Sequence, residues 1–447
     1  MTLATVPRYD PRRTVEREGS AVVVGAGMAG LFAARVLADE FRTVTVVERD
    51  SLPADATARG GAPQGRHVHI LLSAGRATLS DLFPGFGEDV VAAGGLIIDG
   101  ASDLKHYDEG DFLADGTGRI PIYTASRPVF ERIVRRRVAD VDGVELRPNC
   151  RWTDYLTDGD GVAGVAVASA DGETRTLAAD LVVDATGRTS RTPAWLADHG
   201  FERPETDEVR VDIAYSTARL ERDPGERRML FVPPSPPRTR GGAAFPIEDD
   251  RWQVTLFGLH GDHPPADVDG LTDFAASLPV PHLERLLDAR PLASEDVAHY
   301  PFPTSLRRRY EDLDEFPDGL LVVGDAVSSF NPIYGQGMTV AALEALTLHH
   351  TLAGGRENLA ARFFEDATAV VDTAWTLAVG ADFAFEETDG PRPRGTGLTN
   401  RYLARLIRAA HTDSALRDAF SRVLMMERPP ETLFRPGVLW RVFGPTG

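Results

Sequence analysis

A glycine-rich turn near the start of the chain has the residue types and spacing of a dinucleotide site. Gly25, Gly27 and Gly30 form the pattern G-x-G-x-x-G, in which Met28 and Ala29 separate the last two glycines. Glycines at these positions allow a tight turn, a close backbone approach to a pyrophosphate, and close packing of a helix on a strand. The free N–H groups and the dipole of the following helix favour an anion. The pattern therefore predicts a dinucleotide-phosphate site.

An acidic residue follows at the separation that such a turn requires for a ribose contact. Glu48 ends the next apolar run, where its carboxylate can accept hydrogen bonds from adenosine ribose hydroxyls. An acid at this position disfavours a ribose 2′-phosphate, although the adjacent Arg49 leaves that choice open.

A second glycine-rich segment lies late in the chain. Gly324 and Asp325 end an apolar run, and the sequence NPIYGQGM follows at residues 331–338. Together with the first turn, this segment resembles the group A flavoprotein monooxygenases, which have the p-hydroxybenzoate hydroxylase-like fold. The resemblance implies FAD as cofactor and NAD(P)H as its transient electron donor. Since Cys150 is the only cysteine, we expect the FAD to be noncovalent.

The resemblance also implies which residues contact the cofactor. In the family, the late Asp binds the ribityl hydroxyls, the late Pro and Gly residues lie at the flavin edge, and an Arg that begins a helix approaches the phosphates or the ribityl chain. Reduced flavin carries negative charge near N1, which N–H groups at a helix N-terminus stabilise. The residues that match these positions are Gly25, Gly27, Met28, Ala29, Gly30, Glu48, Arg49, Arg127, Asp325, Pro332, Gly335, Gly337 and Met338.

Two further segments indicate which members of this flavoprotein family the chain resembles. The sequence GAPQGRHVHIL at residues 61–71 is similar to that of polyether-type polyene epoxidases and related FAD-dependent oxidoreductases. In the sequence DATGR at residues 184–188, Thr186 stands where most aromatic hydroxylases have an Asp. This departure favours relatives that act on less polar substrates.

The resemblance implies an FAD-dependent monooxygenase that uses C4a-hydroperoxyflavin. It would insert one oxygen atom from O₂ into an apolar alkene or an electron-rich ring, by epoxidation or hydroxylation of an isoprenoid- or polyketide-like substrate. Because the flavin carries this chemistry, no catalytic side chain is assigned beyond the flavin-edge Pro332, Gly335 and Gly337.

Three alternatives stay open. A geranylgeranyl-type alkene reductase uses the same fold, although its Pro-x-x-Tyr-x-x-Trp-x-Arg signature is absent from the sequence. A flavin halogenase is disfavoured because its Trp-x-Trp-x-Ile-Pro motif is absent and Lys105 is the only lysine. The third alternative is a flavin-binding protein without turnover.

Candidate substrate contacts come from the histidine-containing segment and from apolar positions of the central region. They are His67, Phe231, Phe245, Trp252 and Phe257. Ordinary core packing is the alternative role for the aromatic residues. His67 and His69 would share one face of a strand, but no acidic residue or Cys nearby has ligand spacing, so we expect no metal site.

The pattern of apolar runs predicts an α/β protein with an α+β insert. A Rossmann-like FAD-binding domain of three-layer β-β-α character would contain an inserted, mostly antiparallel substrate-domain sheet and end in a helical tail, with one helical run at Leu398–Met426. The predicted divisions are a flexible arm at 1–19, the first part of the FAD-binding domain at 20–205 with a substrate-domain segment near 76–110, the substrate sheet at 206–300, the second FAD-binding part at 301–365, and a helical region at 366–447.

Composition limits the partners. The formal charge of −19 argues against a nucleic-acid binder, whose affinity needs clustered cations. Because no apolar run is long enough to cross a bilayer and no signal peptide is evident, a cytoplasmic protein is expected. The acidic excess suggests a halophilic source. The expected partners are a lipophilic small molecule and O₂, with peripheral membrane contact near Arg435–Phe443 as an option and no indication of oligomeric state.

Overall fold

The computed structural model describes residues 1–13, 16–159, 161–294 and 296–444. The strands are β1 (Ser20–Val24), β2 (Thr43–Val47), β3 (Leu96–Asp99), β4 (Leu104–Asp108), β5 (Asp111–Phe112), β6 (Pro121–Thr124), β7 (Val144–Arg147), β8 (Cys150–Asp158), β9 (Gly161–Ser169), β10 (Thr174–Ala178), β11 (Leu181–Asp184), β12 (Thr206–Glu221), β13 (Met229–Val232), β14 (Arg240–Ile247), β15 (Arg251–Gly258), β16 (Ala298–Arg308), β17 (Leu320–Val322) and β18 (Ser328–Ser329).

Helices connect these strands and form the end of the chain. They are α1 (Met28–Leu37), α2 (Ser73–Leu82), α3 (Phe86–Ala92), α4 (Arg127–Ala139), α5 (Thr192–Asp198), α6 (Val268–Ala276), α7 (His282–Ala289), α8 (Gly337–Ala353), α9 (Leu359–Asp382), α10 (Thr396–Ala409), α11 (Ser414–Leu424) and α12 (Pro436–Phe443).

A five-stranded parallel sheet organises the nucleotide lobe. Its strand order is β17-β11-β1-β2-β7, so strands distant in sequence are neighbours. Short, fully buried strands such as Leu181–Asp184, which is apolar up to its last residue, are typical of parallel strands covered on both faces. Helix α1 lies on one side, and the antiparallel sheet β8-β9-β10 lies on the other. The predicted sheet assembled from separate parts of the chain, with its three-layer character, is confirmed.

The second sheet has eight strands in the order β18-β16-β12-β15-β14-β13-β4-β5. Its ladders are antiparallel except for the β13–β4 pair. We call the side covered by α6 and α7 the outer face, and the side toward the nucleotide lobe the inner face. The sheet extends beyond the predicted limits 206–300, because β16 continues to Arg308 and β18 follows it, while β4 falls in the substrate-domain segment predicted near 76–110 and β5 comes directly after that segment.

The helical end of the chain is confirmed in type but differs in its divisions. Helix α9 runs continuously across the boundary predicted at residue 365. The single run expected at Leu398–Met426 is two helices, because Asp413 caps the second one by accepting hydrogen bonds from the N–H groups of Ala415 and Leu416.

The first residues of the chain pack on the body, which differs from the expected flexible arm. Val6 is buried, the N–H of Leu3 donates to the carbonyl of Met426 over 3.0 Å, and the ring of Tyr9 lies 4.6 Å from that of His349. Apolar contacts that are distant in sequence hold this segment, so local composition did not reveal them. Residues 14 and 15 lie outside the described ranges.

Among the helices of the described ranges, none is both long enough and apolar enough to cross a lipid bilayer.

Candidate active site

The turn between β1 and α1 has the geometry that a pyrophosphate needs. Gly25 has φ +106°, and a Cβ added there would lie 2.5 Å from the carbonyl oxygen of Ala185. A Cβ at Gly30 would lie 1.9 Å from the carbonyl oxygen of Gly25, whereas one at Gly27 would meet no atom within 4 Å. The first and third glycines are therefore required by packing, and the second borders open space at the start of α1. This is the arrangement that the three-glycine pattern predicts.

Glu48 fixes the shape of this turn. Its Oε2 accepts a hydrogen bond from the N–H of Ala26 over 2.9 Å, and its Oε1 accepts one from the N–H of Asp50 over 3.0 Å. The buried Arg59 lies with Nη1 3.1 Å from the same Oε2, and its Nε donates to Glu131 over 2.6 Å. The carboxylate thus has backbone and arginine partners already, and its contact with a ribose stays a prediction. The Arg49 side chain is largely exposed beside Asp50.

Two arginines converge near Asp325, the residue expected at the ribityl chain. Burial raises the pKa of the Asp325 carboxyl, while the charges of Arg127 and Arg188 oppose that rise. Arg127 begins α4, and Arg188 follows the end of β11. Nε of Arg127 and Nη1 of Arg188 are buried without a hydrogen-bond partner in the described chain. Since buried donors are almost always paired in native proteins, these atoms indicate a polar ligand in the space that Arg127, Arg188 and Asp325 border, which we call the cleft.

The residues in this cleft fit FAD. Besides the two arginines, Oε1 of Gln336 is buried without a partner among the described residues. The N–H of Gly324 donates to Oε2 of Glu344 over 2.8 Å, which holds the turn that presents Asp325. An open phosphate turn and unpaired polar atoms beside a carboxylate would suit the phosphates, ribityl hydroxyls and ring edge of a flavin dinucleotide.

The expected flavin-edge segment forms a tight turn before α8. Asn331 accepts a hydrogen bond from the N–H of Ile333 over 3.3 Å, and Gly335 has φ +65°. Pro332 and Gly337 are exposed, whereas Met338 is buried in the main core. The exposed positions would therefore border a flavin, and the contact of Met338 with the cofactor stays a prediction.

A buried hydrogen-bond network fixes this turn to two other elements. The hydroxyl of Tyr215 on β12 donates to Oδ1 of Asn331 over 2.9 Å. Nδ2 of Asn331 and the hydroxyl of Tyr334 both donate to Oδ1 of Asp382, each over 2.8 Å. Asp382 ends α9, so the turn is held by the substrate sheet and by the helical end of the chain. Burial raises the pKa of Asp382 to about 7.

His67 lies on the inner face of the eight-stranded sheet. Its Nδ1 is 2.7 Å from Oγ1 of Thr217, which is 2.7 Å from Oγ1 of Thr255. Its ring centroid lies 6.0 Å from those of Tyr215 and Tyr300. Burial lowers the pKa of His67 to about 4, so the imidazole is neutral at pH 7. A neutral imidazole among aromatic rings is compatible with a substrate contact.

The expected shared strand of the two histidines is wrong. His67 and His69 lie in an extended segment that follows a 3₁₀ turn, and Nδ1 of His69 is 2.9 Å from the carbonyl oxygen of His67. The described residues contain no group of three or more His, Cys, Asp or Glu side chains able to hold a metal ion.

Three of the four candidate aromatic residues lie on the inner face. Phe245 and Phe257 belong to the core shared with the nucleotide lobe, and Phe231 packs against it with its ring 6.4 Å from that of Phe257. The structure does not support Trp252 as a substrate contact, because this residue lies on the outer face and packs with Leu271 of α6. Residues 252 and 257 are separated by an odd number of positions on β15, so they point to opposite faces.

Several residues of the cleft were not among the predicted contacts. Arg188 lies within the quoted DATGR sequence, and its position directly after a buried strand was a usable signal. Arg59 stands two residues before the quoted sequence at 61–71, whereas Tyr215 and Asp382 lie far from any motif, so only the fold brings those two to the site.

Comparison with known proteins agrees with this geometry. A family model described as an FAD binding domain matches residues 18–360. Protein Rv3254 of Mycobacterium tuberculosis is 34% identical, over 90% of this chain and 88% of that protein. Kynurenine 3-monooxygenase of Salinispora tropica is 28% identical, over 92% of each chain. The structure of the flavin-dependent brominase Bmp2 superposes with a TM-score of 0.65 at 18% identity, covering 91% of this chain and 93% of that one.

The family model spans most of the chain and includes both the β1–α1 turn and the turn at residues 331–338. The fold, the cleft around Asp325 and the relatives lead to one conclusion. The chain belongs to the FAD-binding-domain family, and it is an FAD-dependent oxidoreductase of the p-hydroxybenzoate hydroxylase-like monooxygenase group.

Proposed function

We propose that this flavoprotein inserts one oxygen atom from O₂ into an apolar alkene or an electron-rich ring of an isoprenoid- or polyketide-like substrate. The observation that carries the proposal is the bond between Tyr215 and Asn331, which joins the inner face of the substrate sheet to the flavin-edge turn. Phe257 lies beside Tyr215, with ring centroids 6.0 Å apart. Apolar substrate bound on this face would therefore lie next to the turn.

The chain's own contribution is binding, orientation and exclusion of water. When bound, FAD would accept electrons from NAD(P)H and supply the activated oxygen. The N-terminus of α8 would stabilise negative charge that develops on the flavin ring, because its N–H groups are fixed in place. Phe231, Phe245 and Phe257 would bind the apolar part of the substrate and keep water out.

Side chains near the turn need not transfer protons for attack on an alkene, whose product carries no additional proton. Burial lowers the pKa of His67 to about 4, which makes its imidazole a weak base, and its Nδ1 is already hydrogen-bonded to Thr217, so His67 would orient substrate. This arrangement supports alkene epoxidation, while the relative that is a kynurenine 3-monooxygenase keeps ring hydroxylation within the proposal.

The experiment is isotope labelling with matched variants. The purified flavoprotein is supplied with NAD(P)H and ¹⁸O₂ and screened against isoprenoid alkenes and substituted phenols by mass spectrometry. We expect a product with one ¹⁸O atom, and we expect Phe257→Ala to lower its yield more than the matched inner-face control Thr255→Ser, which keeps the hydroxyl.

Two outcomes would contradict the proposal. Anaerobic consumption of NAD(P)H with a product two hydrogens heavier would identify an alkene reductase. Flavin that is never reduced by NADH or NADPH, with any alkene or phenol of the screen present, would identify a binding protein without turnover.

A further inference from the structure

Apolar side chains are unusually exposed at the helical end of the chain. Of the seven large hydrophobic residues that are exposed in the described chain, four lie between residues 398 and 443. These are Leu398 (69% exposed), Phe434 (44%), Trp440 (68%) and Phe443 (56%), which we call the C-terminal aromatic patch. Clustered exposure of this kind marks an interaction surface, whereas single exposed hydrophobic residues are normal.

Contacts of α10 with α12 and with the 3₁₀ turn before it (Pro430–Phe434) bring aromatic side chains together. The ring of Tyr402 on α10 stacks on Phe434 with centroids 4.7 Å apart, and it lies 6.1 Å from Phe443. Leu398 precedes Tyr402 by one helical turn, and Trp440 precedes Phe443 by three residues on α12. Residues about one turn apart share a helix face, so Leu398 lies on the Tyr402 side of α10 and Trp440 on the Phe443 side of α12.

The segment of chain that carries the patch has a formal charge opposite in sign to that of the whole protein. Residues 390–447 contain ten arginines, no lysine and four carboxylates, a formal charge of +6 within a chain of −19. Arg401 and Arg405 lie one turn apart on α10, and the guanidinium of Arg405 lies 4.7 Å over the ring of Phe443. Arg401, Arg405 and Arg435 are exposed and make no ion pair with a described residue.

We propose that the C-terminal aromatic patch binds the surface of an anionic lipid bilayer. Aromatic side chains are favoured at the headgroup level of a bilayer, and nearby arginines are attracted to anionic lipids. The acidic remainder of the protein is repelled by the same lipids, which orients the patch toward the bilayer. A symmetric pairing of two copies would oppose the two +6 regions, so charge disfavours self-association through this surface.

This inference goes beyond the proposed function and does not depend on the identity of the substrate. Membrane binding through the patch would place the flavoprotein where lipophilic molecules accumulate. Because binding needs no turnover, its failure is distinguishable from failure of the oxygenation experiment.

The experiment measures binding of the holoenzyme to vesicles by flotation. Vesicles of phosphatidylcholine alone are compared with vesicles that contain about one third phosphatidylglycerol, at low and high salt. We expect binding only with phosphatidylglycerol, about tenfold weaker at high salt. The double variant Trp440→Ala, Phe443→Ala and the double variant Arg401→Glu, Arg405→Glu should each lower binding by about tenfold or more.

Matched controls separate the patch from general effects. Val91→Ala removes an exposed apolar side chain from α3, and Arg151→Glu reverses an exposed charge on β8, so both should bind like the parent protein. Flavin content and circular dichroism report whether each variant folds. Tryptophan fluorescence of the parent should shift to shorter wavelength on binding, and Trp440→Phe should abolish that shift.

The proposal is overturned if no vesicle binds the holoenzyme, if phosphatidylcholine alone binds it equally well, or if the patch variants bind like the controls. Self-association of the parent that Trp440→Ala abolishes would also overturn it, because the patch would then pair with a second copy.

Discussion

At the scale of single residues, Arg127 has the clearest relation to the cofactor. Its Nε is buried without a hydrogen-bond partner in the described chain, with Oε2 of Glu131 3.6 Å away, and its charge acts on the Asp325 carboxyl. A hydrogen bond to a charged group contributes about 1.5–3 kcal/mol. We therefore predict that Arg127→Ala raises the dissociation constant for FAD by about 10- to 100-fold, measured by flavin fluorescence titration of the apoprotein.

The matched control is Arg136→Ala, which removes an exposed arginine from the same helix. It should leave FAD affinity within about twofold. If Arg127→Ala and Arg136→Ala lost FAD affinity equally, the general positive charge of α4, rather than the position of Arg127, would attract the cofactor.

Glu344 predicts a pH dependence of stability. Burial raises the pKa of this α8 carboxyl to about 8, whereas an exposed Glu titrates near 4.5. Between those values the folded protein holds a proton that the unfolded chain releases, so this residue lowers stability as pH rises from about 4.5 to about 8. Glu344→Gln still accepts the Gly324 N–H bond, and it should raise the melting temperature of the holoenzyme at about pH 9 but not at about pH 5.

Differential scanning calorimetry at both pH values checks this expectation. An equal effect of Glu344→Gln at the two pH values would show that Glu344 does not titrate in this range. Glu365→Gln, at an exposed position of α9, supplies the comparison.

A residue's place in the site could be predicted from the sequence when the residue lies within a local motif, and not when it lies outside one. Gly25, Gly30 and Asp325 sit where local patterns predict a turn, and the structure places them at such turns. Asp382 reaches the site only through a contact between residues far apart along the chain, its hydrogen bond from Asn331. No local spacing carries that information.

At the scale of elements, the two faces of β15 have different roles. The inner face would contact substrate, and the outer face packs against helix α6. Trp252 lies on the outer face under α6, and Phe257 lies on the inner face. We predict that Trp252→Ala lowers the free energy of unfolding by about 3–5 kcal/mol, the usual cost of truncating a buried aromatic residue. Phe257→Ala should instead change which alkenes and phenols stimulate NAD(P)H oxidation.

Chemical denaturation and a substrate panel test the two changes in parallel. The account would be contradicted if Trp252→Ala changed the substrate preference and Phe257→Ala did not, because Trp252 would then lie on the substrate-binding face.

The end of α9 holds the flavin-edge turn through Asp382. We predict that Asp382→Leu weakens FAD binding by about tenfold and shifts the absorbance of bound flavin, because Asn331 and Tyr334 lose their common acceptor. Asp382→Asn keeps an acceptor oxygen and should stay within about threefold of the parent protein. If Asp382→Leu binds FAD with unchanged affinity and spectrum, the network does not position the turn.

Strands were predicted correctly where the signal lies in neighbouring residues of the sequence. They were predicted less well where pairing with a distant strand sets their length. Buried runs beside glycine predicted β1, β11 and β17, which are short parallel strands. The length of β12 was not predicted, because its ladder with β16 shifts register between Arg210 and Ile213 and continues beyond the apolar run. The Asp413 cap was also missed, although Asp before a helix is a recognised signal.

At the scale of the whole molecule, charge is distributed unevenly. The chain carries −19, while its last 58 residues carry +6. Salt shortens the Debye length from about 10 Å at 0.1 M to about 3 Å at 1 M and so reduces repulsion within the acidic remainder. We predict that the melting temperature of the holoenzyme rises between about 0.1 M and about 1 M sodium chloride. A lower melting temperature at high salt would contradict adaptation to a saline source.

The whole molecule also explains why the site joins distant segments. The β1–α1 turn, the Asp325 turn and the substrate sheet meet because the parallel sheet is assembled from separate parts of the chain. Sequence patterns predicted this architecture, whereas the faces of the substrate sheet required the structure.

The central claim is that this fold binds FAD for oxygen chemistry, and the absorbance spectrum during a reduction cycle tests it most directly. We predict that the purified protein shows a bound-flavin spectrum, that anaerobic NAD(P)H bleaches it, that oxygen restores it, and that denaturation releases free FAD. A protein that neither contains flavin nor takes up added FAD would contradict the account.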